Sequence, residues 1–354
     1  MAVSDTGGAV SAGPGRAASR LPVAAGLLLG VLADELCGDP RRGHPVAGFG
    51  RGAAALERRL YAEDRVRGAW FAAAAIGPVV AAAVLAERAV RHRPLARVAL
   101  IGAGTWAVVG GASLRRIGTE MAGLLASDGG ASDGAADVIG AADVIGDVAA
   151  ARALLSSLCG RDAAGLDGAE LARATVESIA ENTSDSVVAP LFWGAVAGLP
   201  GLLGYRAINT LDAMVGHRSP RYARFGTVCA RADDVANLLP ARLTAGLILL
   251  AAPIVHGSPR QGWATWRADA ASHPSPNAGR CEAAAAGVLG VGLGGPTVYG
   301  GRVENRPALG SGQPPTPADI GRAVTLSRAV ELAALALCAS VLSAAARWVR
   351  AAQR

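Results

Sequence analysis

Long apolar runs with almost no charge are the feature that most limits how this chain can fold. Residues 68–86 and 98–114 carry no charged side chain, residues 329–346 carry only Glu331, and 22–33 and 243–256 are shorter uncharged runs. A helix needs about 20 apolar residues to cross the hydrocarbon core of a bilayer. Hydrophobic residues make up 51% of the chain and charged residues only 18%. We therefore predict an all-α, polytopic integral membrane helical bundle, with polar loop motifs that form one site.

The N-terminal end and one internal stretch differ in composition from these runs. Residues 1–20 are rich in Gly, Ala and Ser, which predicts a disordered tail. Residues 21–349 are interpreted as a single membrane domain. Within it, 113–170 is interpreted as a polar insertion that carries the hexamer AADVIG twice in tandem, at 135–140 and 141–146. A local duplication in a flexible loop explains this repeat better than a functional site does.

The sequence contains no lysine, so its 34 basic residues are all arginines. This excludes a Walker A nucleotide loop, which requires a lysine, and a pyridoxal phosphate enzyme, which requires a lysine Schiff base. The net charge of +6 is explained by arginines that flank membrane segments beside the lipid. Aromatic residues make up 4% of the chain and do not interleave with a basic patch, so nucleic acid is not expected as a partner.

Acidic and amide residues are concentrated between positions 171 and 243, directly beside apolar segments. Glu177 and Glu181 are four residues apart and share one face of a predicted helix, and Asp185 follows. A second polar set comprises Tyr205, Arg206, Asn209, Asp212, Asp233, Asp234 and Asn237. Polar groups beside a bilayer are costly and indicate a functional site. A single carboxylate such as Glu177 could equally lie on a solvated helix face, paired with Arg173.

The uncharged stretch 187–203 separates these two polar sets and is interrupted by Pro190, Gly198, Pro200 and Gly201. A simple crossing would place the two sets on opposite sides of the membrane. A re-entrant segment would place them on one side, which is tolerated where the broken backbone is buried in protein or lines a cavity. We favour the re-entrant form, because two half-sites on opposite faces could not cooperate in one reaction.

The segment at 34–51, DELCGDPRRGHPVAGFGR, adds charged side chains to the candidate site, including Asp39 and His44. Arginine forks bind phosphate or carboxylate, and carboxylates are suitable ligands for Mg²⁺. Arg41 and Arg42 are better explained as the cationic flank of a membrane segment.

A second loop segment, 273–306, combines Asn277, Tyr299 and Arg302 with glycine-rich turns. Such turns let backbone N–H groups close on a ligand. A helix is expected to begin near Glu282, where the carboxylate favours the positive end of the helix dipole.

Taken together, four motifs resemble the CobD/CbiB family of cobalamin biosynthesis proteins, the adenosylcobinamide-phosphate synthases. In chain order they are GDPRRGHPVAGFGR, ATVESIAENTSDSVVAPLFW, YRAINTLDAMVGHRSPRYARFG with ARADDVANLLPARLTA, and HPSPNAG with GGPTVYGGR. The resemblance runs from about residue 27 to the last apolar run. It implies ATP-dependent formation of an amide between a propionate carboxylate of adenosylcobyric acid and aminopropanol or its O-phosphate, with ATP and Mg²⁺ required.

Activation of a carboxylate as an acyl phosphate needs acids that hold Mg²⁺ and cations that hold phosphate. The hypothesis assigns each candidate residue to a role. The catalytic candidates are Glu177, Glu181, Asp185, Asp212 and His44. The substrate- and phosphate-binding candidates are Arg206, Asn209, Arg218, Asn277, Tyr299 and Arg302. The metal-binding candidates are Asp39, Glu181, Asp212 and Asp234.

Two other classes of protein share some of these features. A polytopic corrinoid carrier or assembly protein could use the same acids to bind ligand amides without chemistry. A membrane-embedded phospho-alcohol transferase also uses acids and Mg²⁺, but the chain has no DxxDGxxAR-type array. The resemblance further implies a multi-pass protein of the cell membrane whose site faces the cytoplasm, where its substrates are, and a complex with other membrane enzymes of the cobamide pathway.

Overall fold

The computed structural model describes residues 20–39, 43–126, 141–217, 219–299 and 302–352, with the side chains at 141–147, 299 and 302 left out. Within these ranges the chain forms helices α1 to α6 at Arg20–Cys37, Pro45–Leu60, Arg65–Ala89, Pro94–Val108, Gly111–Ala126 and Ala141–Leu155. Helices α7 to α12 follow at Gly168–Thr183, Ala189–Leu211, Thr227–Ala251, Pro259–Asp269, Ala278–Leu289 and Pro317–Ala351. The predicted N-terminal tail up to residue 19 and the first AADVIG copy lie outside the described residues.

Five helical segments of the described chain are long and apolar enough to cross a membrane. They are Arg65–Ala89, Pro94–Ala126, Gly168–Gly216, Thr227–Val255 and Pro317–Ala351. Each presents large apolar side chains outward, such as Leu85 and Val341, which are more than half exposed. A bundle with polar groups buried inside and apolar side chains outside is typical of a protein that spans a lipid bilayer. The predicted all-α multi-pass membrane bundle is confirmed.

The core lies where α7, α11 and α12 pack together. Every residue of α11 except Arg280 is buried, and most of them are Ala or Gly. Small side chains let neighbouring helices approach closely. At Gly287, for example, an added Cβ would lie 2.6 Å from the carbonyl oxygen of Gln261. The stretch predicted as a polar insertion contains α5, whose Met121 and Leu125 also reach this core.

Helix α8 contains a reversal of chain direction at Gly198. Gly198 has φ 65° and ψ −145°, a conformation that is essentially confined to glycine, and Pro200 removes a backbone donor just after it. A Cβ on Gly201 would overlap the carbonyl oxygen of Trp193. Residues eight apart in a straight helix are separated by about 12 Å along its axis, so the two halves of α8 fold back on each other. The fold-back favoured for 187–203 is therefore present.

A β-hairpin follows α11, although the sequence predicts only tight turns there. Strand β1 (Leu293–Tyr299) pairs antiparallel with β2 (Arg302–Leu309), with a bulge between Leu293 and Gly295. Gly294 has φ +86°, and the bulged backbone turns its N–H toward α7. The hairpin is held by this contact and by the Arg173 guanidinium, which donates to the Pro296 carbonyl at 3.1 Å.

Candidate functional site

Two π-helical turns, Ser184–Val188 and Asp212–Gly216, lie immediately before and after α8. Single π turns within helices occur often at functional sites. The first carries Asp185 and the second carries Asp212, both acids predicted for the site. A Cβ at Gly216 would overlap the Asp212 carboxylate, so glycine is needed for the close approach of that side chain. Because the two halves of α8 fold back on each other, the two π turns lie at the same end of the folded-back helix.

Five side chains from the first π turn, α8 and α9 form what we call the amide–carboxylate cluster: Asp185, Tyr205, Asn209, Asp233 and Asn237. The Asn209 amide donates to Oδ2 of Asp185 and to Oδ1 of Asp233, each at 3.3 Å. The Asn237 amide donates to Asp233 at 3.0 Å, and the Tyr205 hydroxyl donates to Asn237 at 2.9 Å. The Asn209 amide therefore connects the carboxylates of Asp185 and Asp233, which are 48 residues apart in sequence.

Further charged groups surround this cluster. Nη1 of Arg206 lies 3.4 Å from Oδ1 of Asn209, and its guanidinium interacts electrostatically with Asp185 and Asp39. The carboxylate of Asp212 lies close enough to those of Asp233, Asp234 and Glu181 for like-charge repulsion. The predicted site acids from four separate segments therefore lie near one another, and a guanidinium lies among them. This arrangement can bind an anionic reactant through the cation and a metal or ammonium through the acids.

Glu177 and Glu181 share one face of α7 as predicted, but they differ in surroundings. Glu177 is fully buried, accepts a hydrogen bond from the Gly294 N–H at 2.6 Å and pairs with Nη2 of Arg161 at 2.5 Å. Glu181 is half-buried and interacts electrostatically with Arg161 and Arg306. The pairing of Glu177 with Arg173, which helical spacing allows, is not formed because Arg173 contacts the hairpin instead.

A second buried polar group, which the sequence did not predict, lies near Glu181. Oε2 of Glu282 is 3.7 Å from Nε2 of His273, and Oε1 is 3.9 Å from Nη1 of Arg306, both too long for hydrogen bonds. Burial, followed by the charges of Glu181 and Glu177, raises the pKa of Glu282 well above its ordinary value. Burial lowers the pKa of His273. Among the described residues, neither oxygen of Glu282 has a hydrogen-bond partner. Such buried groups indicate a place for ordered water or a ligand.

Replacement of Glu282 by Gln is expected to make the free energy of unfolding less dependent on pH. The folded-state pKa of Glu282 is raised above that of the unfolded chain, so the wild-type protein loses stability as the pH rises from about 4 toward the raised value. The Gln side chain does not titrate. The stability of the variant relative to wild type should therefore increase as the pH rises above about 4, by up to about 1.4 kcal/mol per pH unit.

Denaturant unfolding of the detergent-solubilised protein at a series of pH values measures this difference. Glu120 is exposed on α5 and is the matched control, because its Gln variant should follow the wild-type curve. Parallel pH curves for wild type and the Glu282→Gln variant would show that the carboxyl of Glu282 is already ionised in the folded protein.

Loop residues predicted for the site also have defined places. His44 caps α2 by accepting a hydrogen bond from the Val46 N–H at Nδ1, and its Nε2 is 3.4 Å from Oδ1 of Asp39. Asn277 immediately precedes α11 and donates to the Asp234 carbonyl at 2.8 Å. It thereby fixes the start of α11 beside the acids of α9.

The structure describes no side chain for three of the predicted substrate-binding residues. Arg218 lies outside the described residues. Tyr299 ends β1 and Arg302 begins β2, but only their backbone is described. Their proposed roles stay predictions.

Several residues of the site were not given roles by the sequence alone. Asp233 and Asn237 stand four residues apart on α9, which is a spacing that could have identified them. His273 is the first residue of the HPSPNAG motif, and Glu282 lies three residues after its end. No helical spacing could have identified Arg161, because its partner Glu177 is far away in the sequence.

The fit of Mg²⁺ can be tested against these donors. Among the described residues, no group of three or more His, Cys, Asp or Glu side chains is arranged to hold a metal ion. Magnesium that accompanies a nucleotide usually takes only one or two carboxylates, and phosphates and water supply its other ligands. Asp185 and Asp233, which are hard oxygen donors joined through Asn209, fit that requirement. The metal-binding set of Asp39, Glu181, Asp212 and Asp234 stays a prediction.

Comparison with known proteins agrees with the motifs. The family model described as CobD/Cbib protein matches residues 27–327. A cobalamin biosynthesis protein CobD of Mycobacterium tuberculosis is 51% identical over 315 residues, which cover 89% of this chain and 94% of that protein. The CobD protein of Chromobacterium violaceum is 43% identical over 323 residues, which cover 89% and 96%. No solved structure matches the chain. The chain is a member of the CobD/CbiB family and a protein of cobalamin biosynthesis.

Proposed function

We propose that the protein catalyses ATP-dependent amide-bond formation. It would join a propionate carboxylate of adenosylcobyric acid to aminopropanol or its O-phosphate, giving adenosylcobinamide or its phosphate. The observation that carries the proposal is the amide–carboxylate cluster, in which acids from separate helices converge beside Arg206. This constellation is suited to the transfer of a phosphoryl group to a carboxylate.

The proposed reaction has two steps. An oxygen of the substrate carboxylate attacks the γ-phosphorus of ATP, and the bond from that phosphorus to the bridging oxygen of ADP breaks. The neutral amine then attacks the acyl carbon, and inorganic phosphate leaves with the electron pair of the broken C–O bond. The ammonium of the free reactant loses one proton before attack, and the nitrogen loses a second one after it.

In the first step, the side chains around α8 hold and orient the reactants. Arg206 binds the transferring phosphoryl group, a task that falls to arginine in a chain without lysine. Asn209 fixes the carboxylates of Asp185 and Asp233 at a defined separation. Mg²⁺, held by these two carboxylates, would neutralise charge on the phosphate oxygens.

In the second step, an acid on α7 takes the protons of the amine. Glu181 is the better candidate because it is half-buried, whereas Glu177 is fully buried and paired with Arg161. Arg161 and Arg306 lie near Glu181 and would hold the phosphate of an aminopropanol phosphate reactant. His44 remains an alternative base, oriented by Asp39.

The proposal includes the cellular setting of the reaction. ATP and the corrinoid are cytosolic, so the cluster would open toward the cytoplasm. The product is the substrate of later cobamide assembly, and a complex with other membrane enzymes of that pathway would pass it on.

Reconstitution tests this function directly. Purified protein in lipid nanodiscs is given adenosylcobyric acid, Mg²⁺ and ATP, with either aminopropanol or its phosphate as the amine. Mass spectrometry detects the amide, and a coupled assay detects ADP. We expect product only when ATP is present, and the two amines show which form is preferred. Corrinoid binding without product would instead support the carrier class.

A further inference from the structure

One acidic residue inside an apolar helix has no role in the candidate site. Glu87 lies near the end of α3, and its side chain is only 14% exposed. Nε of Arg97, on α4, donates to Oε1 of Glu87 at 2.9 Å. The other carboxylate oxygen, Oε2, accepts a hydrogen bond from the backbone N–H of Leu199 at 3.0 Å. Glu87 therefore connects α3, α4 and the point where α8 reverses direction.

This contact has a specific meaning at the reversal. Leu199 is the first residue of the second half of α8, and the first N–H groups of a helix have no partner within it. A carboxylate there satisfies the donor and favours the positive end of the helix dipole. An added Cβ on Gly198 would lie only 2.6 Å from Oε2 of Glu87, so glycine leaves room for the carboxylate. Burial of an acid in an apolar segment costs free energy unless it has such partners. The presence of an acid at this position therefore indicates a function.

We infer that Glu87 is a positioning residue that sets the angle of the second half of α8, so that Asn209 reaches Asp185. Asn209 lies ten residues beyond Leu199, about 15 Å along the helix axis. A tilt of about 10° at Leu199 would move Asn209 by about 2 to 3 Å over that length. Such a shift breaks its 3.3 Å contact with Asp185. Only the link from this geometry to catalysis depends on the proposed function.

Hydrogen–deuterium exchange of the full-length protein in nanodiscs tests the positioning directly. In the Glu87→Met variant, peptides covering 199–211 should exchange about five- to tenfold faster, which corresponds to the loss of a helix cap. The Glu87→Gln variant should exchange more slowly at 199–211 than Glu87→Met, because its amide oxygen still accepts from the Leu199 N–H although its NH2 group no longer pairs with Arg97. Glu120→Met, an exposed position on α5, is the matched control. Unchanged exchange at 199–211 in Glu87→Met, or equal acceleration in every helix, would overturn the inference.

Enzyme kinetics separates positioning from general stability. In the wild-type background, Glu87→Met should lower kcat for amide formation about tenfold and leave the corrinoid KM within about twofold. In an Asn209→Ala background, the same change should lower kcat by less than about twofold, because the contact it positions is already absent. A full tenfold further loss in that background would refute the positioning role. If the wild-type protein makes no amide, the proposed function fails, and the exchange experiment still decides this inference.

Discussion

The Asp185→Asn variant is expected to form cobinamide about 100- to 1,000-fold more slowly than the wild-type protein, with the fold retained. Asp185 provides a negative oxygen that accepts from Asn209 and lies near Asp233 and Arg206. Asn has the same shape but no charge, so it cannot hold a metal–phosphate complex as the carboxylate does. Initial rates of amide formation in nanodiscs measure the loss.

A matched control comes from an acid outside the cluster. Asp162 is exposed, and within the described part of the chain its carboxylate accepts a local hydrogen bond from the Ala164 N–H. The Asp162→Asn variant should therefore keep a rate within about twofold of wild type. Both variants should melt within a few degrees of the wild-type protein. An Asp185→Asn variant with near-normal turnover would remove Asp185 from the reaction and leave Asp212 and Glu181 as the remaining acids to test.

The Arg115→Met variant is expected to be about 3 to 5 kcal/mol less stable than wild type. Arg115 lies on α5, and its side chain is 8% exposed. Its Nη1 is 2.5 Å from Oε2 of Glu331, which is fully buried on α12, and its Nη2 pairs with Glu35 of α1. Removal of the guanidinium leaves a buried carboxylate without a cation, which costs far more than the pair itself contributes.

Unfolding in mixed micelles by a graded denaturing detergent measures this loss. The double variant Arg115→Met and Glu331→Met should recover at least half of it, because neither charge is then left buried alone. The neighbouring Arg116 is exposed, and its Met variant should change stability by less than about 0.5 kcal/mol. A single Arg115→Met variant as stable as wild type would show that Glu331 has another partner or a proton of its own.

Much of the site follows from the sequence because the relevant spacings are local. Glu177 and Glu181 share a helix face, and the glycine and proline positions in 187–203 allow a fold-back, which is favoured because the two polar sets must cooperate in one reaction. With the fold-back assumed, Asp185 and Asn209 must come together, and the structure shows their contact. Local rules on helical period and backbone freedom allowed this part, but the choice between a fold-back and a straight crossing depended on the expectation of one shared site.

The partners of buried charges could not be obtained in the same way. Glu177 has a cation four residues before it, yet it pairs with Arg161, which reaches it from a different segment of the chain. Glu331 stands alone in an apolar run, and nothing in its neighbourhood identifies Arg115 as its partner. Such pairings depend on which helices pack together, and helix packing is not encoded in spacing along one helix. The hairpin was missed because β1 contains Gly294, Gly295 and Pro296 and β2 contains Pro307, and these residue types ordinarily interrupt strands.

The reversal at Gly198 also changes how passages of the chain through lipid are counted. The segment Gly168–Gly216 is long and apolar enough to be scored as a crossing. Because Asp185 contacts Asn209, however, the polypeptide returns after Gly198 to the level of Asp185. A topology map that counts this segment as one straight helix would therefore place Asp185 and Asn209 about 36 Å apart along its axis, although their side chains are in contact.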